Sequence, residues 1–162
     1  PVIGFLDLSG GEFSGLLNED KLAVAPLFAQ ASAESMGTPS CNVLFLYCRI
    51  EPDGRLQGSN LGLRELIRDS GAAIAVVASE NSGPLYNASA KKTGYGSANL
   101  VMTLNRKGPV FSKFFVQLFS LMKQGKSMPI PWVNLAPQIP GHEHQDCPDT
   151  IFSCEAGQVR FS

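Results

Sequence analysis

The sequence predicts a three-layer α/β fold built on a mostly parallel central sheet. Three observations lead there: short runs that are apolar at every position, amphipathic stretches between them, and Gly, Pro or Ser at nearly every junction. A strand covered on both faces has no polar side, so uninterrupted apolar runs separated by helical patterns mark parallel strands packed between helices.

Taken in order, residues 2–8 (VIGFLDL) form the first expected strand, closed by Ser9, Gly10 and Gly11. Residues 26–36 (PLFAQASAESM) read as a helix, with Pro26 in its first turn and Gly37 past its end. Residues 42–48 (NVLFLYC) are the second strand, and EPDG at 51–54 has Pro and Gly where a type I turn places them. Asn60 is placed to cap a helix carrying Leu63, Leu66 and Ile67 on one face, with Gly71 as its stop. Residues 72–78 (AAIAVVA) and 99–104 (NLVMTL) supply strands three and four. After Gly108, Pro109 opens the strongest helix, in which Phe111, Phe114, Phe115, Leu118, Phe119 and Met122 recur at spacings of three and four. This Phe-rich stripe is read as core. Residues 132–135 (WVNL), lying between Pro131 and Pro137, suggest a short edge strand, and TIFSC with QVRF suggests a terminal hairpin.

No linker, repeat or low-complexity segment interrupts the chain, so residues 1–162 are taken as one domain with a Pro-rich C-terminal segment from 129 to 162. A content of 44% hydrophobic and 17% charged residues suits a self-folding globular chain. The net charge of −1 gives no whole-molecule attraction for nucleic acid or anionic membrane, so neither is expected as a partner. Charge is nonetheless segregated. No Asp or Glu occurs between Asn81 and His142, where seven cations fall, and the acids Glu143, Asp146, Asp149 and Glu155 follow. Such a pattern fits either differently charged surfaces or an acidic tail lying over the basic segment. Cys41, Cys48, Cys147 and Cys154 are too sparse for a disulfide scaffold and read as thiols of a cytoplasmic protein. No segment is long and apolar enough to span a bilayer, and residues 1–8 lack the basic region of a signal peptide. Pro1 fits either methionine removal or a cut from a longer precursor.

In an open parallel sheet, ligands collect beyond the carboxyl ends of the strands. Those ends carry Asp7 and Ser9, Arg49 and Glu51, then Ser79, Glu80, Asn81 and Ser82, then Asn105 and Arg106, with Asn134 and Gln138 as further members. Arg49 and Arg106 are of a type that clamps an anion. Asp7 and Glu80 are the candidate general bases, provided burial raises their pKa. Arg49, Ser79, Glu80, Asn81, Ser82 and Arg106 form the expected binding set. No Gly-x-Ser-x-Gly elbow, phosphate loop or paired Cys-x-x-Cys occurs, and no cofactor is expected. His142, His144, Cys147 and Cys154 are nitrogen and sulfur donors of the kind zinc takes, but their spacing matches no frequent zinc motif, and an acidic surface loop is preferred.

At CNVLFLYCR, AIAVVASENSG and the run from Gly96 through the Phe-rich helix to Gly125 and Ser127, the order of elements resembles the caspase-like CHAT domain, over residues 42–138. The resemblance implies a caspase-like sheet in which one strand ends in Cys-His-Gly, supplying the catalytic histidine, and a later one in Ala-Cys-x-x-Gly, supplying the nucleophile. Here Cys48 stands before the histidine position, Arg49 occupies it, Glu80 occupies the nucleophile position and Gly83 the trailing glycine. A thiolate nucleophile needs a Cys with a nearby base, and Arg49 and Glu80 supply neither. The implied function is therefore non-catalytic, with a protein or acidic peptide bound at the strand ends and an Arg49–Glu80 salt bridge as a possible coupling. The alternative is a hydrolase or transferase acting on a small anionic substrate at the same crescent.

Overall fold

Along VLFLY, every side chain is apolar or aromatic and every one is buried, because the strand lies in the middle of a sheet covered on both sides. The computed structural model describes residues 1–34, 37–81, 84, 98–106, 108–136 and 149–161. Its elements are β1 (Val2–Asp7), α1 (Ser14–Val24), β2 (Gln30–Glu34), β3 (Val43–Tyr47), α2 (Leu63–Ser70), β4 (Ile74–Val77), β5 (Asn99–Asn105), α3 (Pro109–Lys123), α4 (Pro129–Leu135) and β6 (Asp149–Ser153). The six strands form one sheet in the order β2-β1-β3-β4-β5-β6. The first five are mutually parallel, and β6 runs antiparallel to β5.

Period-two alternation along each strand divides the core between the two faces. Phe5, Val43, Phe45, Tyr47, Val76 and Val101 pack under α1, α3 and α4. Leu6, Leu44, Leu46, Val77, Leu100 and Met102 pack under α2 and the loop residues Ile50 and Leu56. The mixed α/β class and the mostly parallel sheet are thus as expected.

Phe45 is the centre of the aromatic core, with ring centroids 5.5 Å from Phe5, 5.4 Å from Phe115 and 6.2 Å from Phe119. Helix α3 runs as its pattern requires, opened by Pro109 and followed by Gly125 at positive φ. Helix α2 starts at Leu63 after Gly62 rather than at Asn60, and Gly71 in the left-handed region ends it. The 51–54 turn closes with a 2.9 Å bond from Gly54 N–H to Glu51 C=O.

Four readings are corrected. The helix expected over residues 26–36 is not what its described residues form: Pro26 lies in a short 3-10 turn (Ala25–Leu27), and Gln30–Glu34 is the edge strand β2 beside β1. The helix of this region is α1, twelve residues earlier, which buries only Leu17, Asp20 and Val24. Residues 132–135 belong to helix α4, not to a strand, because Pro129 and Pro131 both fall in its first turn, where a missing N–H costs nothing. Trp132 from that helix packs against Phe114 at 5.1 Å and Phe152 at 4.5 Å. The C-terminal hairpin is absent among the described residues. TIFS pairs with β5 instead, while Val159 C=O accepts from Met128 N–H at 2.8 Å and Phe161 packs against Phe28 and Phe119. Nor does the acidic tail cover the basic segment at Glu155, which ion-pairs with Arg64 of α2. Among the described residues, no helix is long and apolar enough to cross a membrane.

Phe45→Ala should lower unfolding stability by about 3–5 kcal/mol through the cavity it leaves. The check is a shifted urea midpoint at unchanged slope.

Candidate functional site

The connection from β1 crosses to β2 on one side, and β3 lies on the other side of β1. In open α/β sheets ligands collect beyond the carboxyl ends of the strands. Here a cleft of about 340 Å³ lies beyond the ends of β3, β4 and β5 and beside α1, lined by Phe13, Leu16, Glu19, Arg49, Glu80 and Arg106. The three strand-end charges singled out from the sequence, Arg49, Glu80 and Arg106, therefore share one neighbourhood.

Under the cleft lies a carboxylate that the sequence pattern did not single out. Asp20, fully buried on the inner face of α1, accepts from Arg106 Nη1 at 2.8 Å and Nη2 at 2.6 Å, a two-pronged ion pair. The Tyr47 hydroxyl donates to its Oδ2 at 2.6 Å and the Ser112 hydroxyl to its Oδ1 at 2.7 Å. Each carboxylate oxygen thus holds two donors, which fills its ordinary acceptor capacity. The Arg106 side chain is only 4% exposed, and its guanidinium lies 4.2 Å from the centre of the Phe111 ring. Burial, reinforced by the adjacent Asp20 charge, holds the Tyr47 phenol well above its usual pKa and so keeps it as a donor. One network of four side chains joins α1, β3, the end of β5 and α3.

This network corrects the anion-clamp expectation for Arg106. Its guanidinium is buried against Asp20 and is not presented to a ligand. Arg49 is exposed, but it points to Glu12 in the β1–α1 loop, forming a forked pair over the Phe13 ring. That contact lowers the Glu12 pKa and raises that of Arg49. The Arg49–Glu80 salt bridge is therefore replaced by Arg49–Glu12. Glu80 takes a different partner, accepting at 2.8 Å from the backbone N–H of Arg106, which ties the end of β4 to the end of β5.

Ser79 and Asn81 are buried and act as sheet extensions. The Ser79 hydroxyl donates to Cys48 C=O at 2.7 Å and accepts from Cys48 N–H at 3.0 Å, continuing the β3–β4 ladder with a side chain. Asn81 accepts from Ile50 N–H at 3.3 Å, and its own N–H donates to Thr103 C=O at 3.0 Å. Neither polar group faces outward as the expected binding set required. Asp7 accepts from the backbone N–H and hydroxyl of Ser9, whose oxygen in turn accepts from Phe13 N–H at 2.9 Å. It organises the turn into α1, and it is not among the residues lining the strand-end cleft.

Other members of the crescent disperse. Glu51 lines a separate cleft of about 450 Å³ within its own loop, together with Asp53 and Arg55, and Asn134 rides on α4. Ser82, Gly83, Gln138, His142, His144 and Cys147 lie outside the described residues. Cys154 is exposed, and among the described residues no group of three or more metal-ligating side chains occurs. Cys48, beside the histidine position of the resemblance, is fully buried, and desolvation pushes its thiol up to about 12. Compared with known proteins, the chain matches no family model, no curated protein and no solved structure.

Arg106→Met should cost about 3–5 kcal/mol by stranding the buried Asp20 charge, whereas Asp20→Leu combined with Arg106→Met should cost less than the two single changes added together. A urea double-mutant cycle measures this coupling, and additivity would contradict the pair. Iodoacetamide at mildly alkaline pH should label Cys154 in the native protein and spare Cys41 and Cys48, whose thiols burial keeps protonated at about 11 and 12 respectively. Peptide mapping before and after denaturation reads the difference.

Proposed function

We propose that this chain is a non-catalytic, caspase-like α/β domain that binds a protein or peptide segment at the strand-end cleft. One observation carries the proposal. The residues just before the two positions where the resemblance implies a histidine and a nucleophile, Cys48 and Ser79, are hydrogen-bonded across adjacent parallel strands. Two catalytic groups at 49 and 80 would thus stand side by side, yet the chain places there an arginine and a glutamate that already have partners. Nucleophilic catalysis requires a group that can lose a proton and form a bond at the surface. Among the described residues the nearest thiol, Cys48, is buried and protonated, and the buried carboxylate, Asp20, is saturated with donors.

Binding needs no such group. A cleft of about 340 Å³, apolar at Phe13 and Leu16 and charged at its rim, suits a few side chains of a partner. The anionic-substrate alternative is less supported, because the second arginine of its clamp is committed to Asp20.

The test is selection of binders from a displayed random peptide library, followed by affinity measurement with single variants. Arg49→Glu should shift the affinity of the selected peptides about tenfold or more, downward for acidic sequences and upward for basic ones, as charge reversal at an interface does. It should leave the melting temperature nearly unchanged, since an exposed pair contributes about 0–1 kcal/mol. Mass spectrometry should find the peptides intact after long incubation. Cleavage of the peptides, or binding indifferent to both Arg49→Glu and Glu80→Arg, would refute this function.

A further inference from the structure

We propose that the strand-end cleft continues across α1 into an apolar trough, and that the two together seat one peptide segment carrying a lysine or arginine between apolar side chains. This rests on the binding function above and specifies its partner.

Continuity comes from Glu19, which lines both depressions. On the far side of it, a trough of about 420 Å³ is bounded by Leu22, Ala23, Pro109, Lys113 and Val116, where α1 meets the start of α3. Leu16, Glu19 and Leu22 follow one another at a spacing of three, so they form a stripe along one side of α1. Leu22 is 82% exposed, the most exposed large hydrophobic residue among those described. A single leucine in water needs no explanation, but this one forms the lip of an apolar depression that adjoins a charged one.

Charge selects the occupant. Both guanidinium groups of the cleft are neutralised within the fold, Arg49 by Glu12 and Arg106 by Asp20. Glu19 is 3.9 Å from Arg106 Nη2, but that nitrogen is held at 2.6 Å by Asp20, and the Glu19 side chain remains 41% exposed. Glu80 is bonded only to a neutral backbone N–H in the contacts described, and its side chain also faces the cleft. Among the described residues, what remains uncompensated around the junction is negative, while Lys113 lies at the far side of the trough. A cationic side chain set at Glu19, with apolar neighbours in the Phe13–Leu16 cleft and the Leu22–Val116 trough, matches both features. An acidic segment would meet Glu19 and Glu80 at the rim, where like charges oppose docking.

The experiment uses the full chain with two fluorescein-labelled synthetic peptides, one with an arginine between two pairs of leucines and one with glutamate in the same place, alongside the peptides recovered from library selection. The arginine peptide should bind, the glutamate peptide should bind at least about tenfold more weakly, and the selected sequences should be rich in lysine or arginine flanked by apolar residues. Glu19→Arg should invert the preference between the two synthetic peptides, a readout that simple loss of folding cannot produce. Leu22→Asp should weaken the arginine peptide about tenfold while leaving thermal unfolding unchanged, because Leu22 is at the surface. If selected peptides respond to Arg49→Glu and Glu80→Arg but ignore Glu19→Arg and Leu22→Asp, or carry acids instead of bases, this inference is overturned and the binding function stands. If no peptide is enriched over background, both fall. If the free protein sediments as a dimer that Leu22→Asp splits, the trough is a self-interface and the inference is again overturned.

Discussion

The ion pair between Asp20 and Arg106 is the constraint on which the rest of the arrangement depends. Removing two opposite charges from water costs several kcal/mol per ion, and their attraction offsets this only when the geometry is good and the remaining lone pairs are filled. Here the filling comes from Tyr47 at the end of β3 and Ser112 in the first turn of α3, so the pair cannot form unless four elements meet at one point. The same point fixes the side of α1 that faces the sheet. With Asp20 turned inward, Glu19 is rotated by about 100° around the helix, toward the cleft. One buried carboxylate thus sets both the foundation of the cleft and the charge presented at its rim.

That constraint also explains what was legible in the sequence. Strands β1, β3, β4 and β5 and helix α3 were recognisable because their stabilisation is almost wholly apolar burial, which repeats at the period of the backbone. Helix α1 was not, because one of its three buried positions is an aspartate, and its most exposed apolar residue, Leu22, lies on the wrong side for a core stripe. Hydrophobic periodicity cannot register a position stabilised by a partner 86 residues away. Residues 26–36 misled for the opposite reason: their small side chains and terminal Pro and Gly imitate a helix, while the open edge of β1 supplies backbone partners that only the assembled sheet reveals. The prolines of α4 were ambiguous in the same way, since the first turn of a helix and the end of an edge strand both tolerate them.

For the site, location was legible and role was not. The rule that strand ends gather polar residues placed Arg49, Glu80 and Arg106 together, as the structure does. It could not distinguish groups facing a ligand from groups finishing the sheet. Ser79 and Asn81 are of the second kind, substituting side-chain hydrogen bonds where the strands diverge and backbone pairing runs out. Their partners are backbone groups of Cys48 and Ile50, which look unremarkable in the sequence because every residue has them.

The functional argument follows from how completely these groups are used. A nucleophile or general base needs a lone pair to give, and a group fully engaged in holding the fold offers none. The filled acceptors of Asp20 therefore fit the proposed non-catalytic reading, as do the Ser79 hydroxyl, which both donates and accepts within the ladder, and the Cys48 thiol, which burial keeps protonated. Groups at the rim differ: Glu19 is held only at 3.9 Å, and Glu80 has a second carboxylate oxygen beyond the one bonded to Arg106 N–H. Both can take an incoming donor without breaking a bond that the sheet requires. In the proposed binding function, such a surface recognises charge and shape on a base that the buried ion pair ties together.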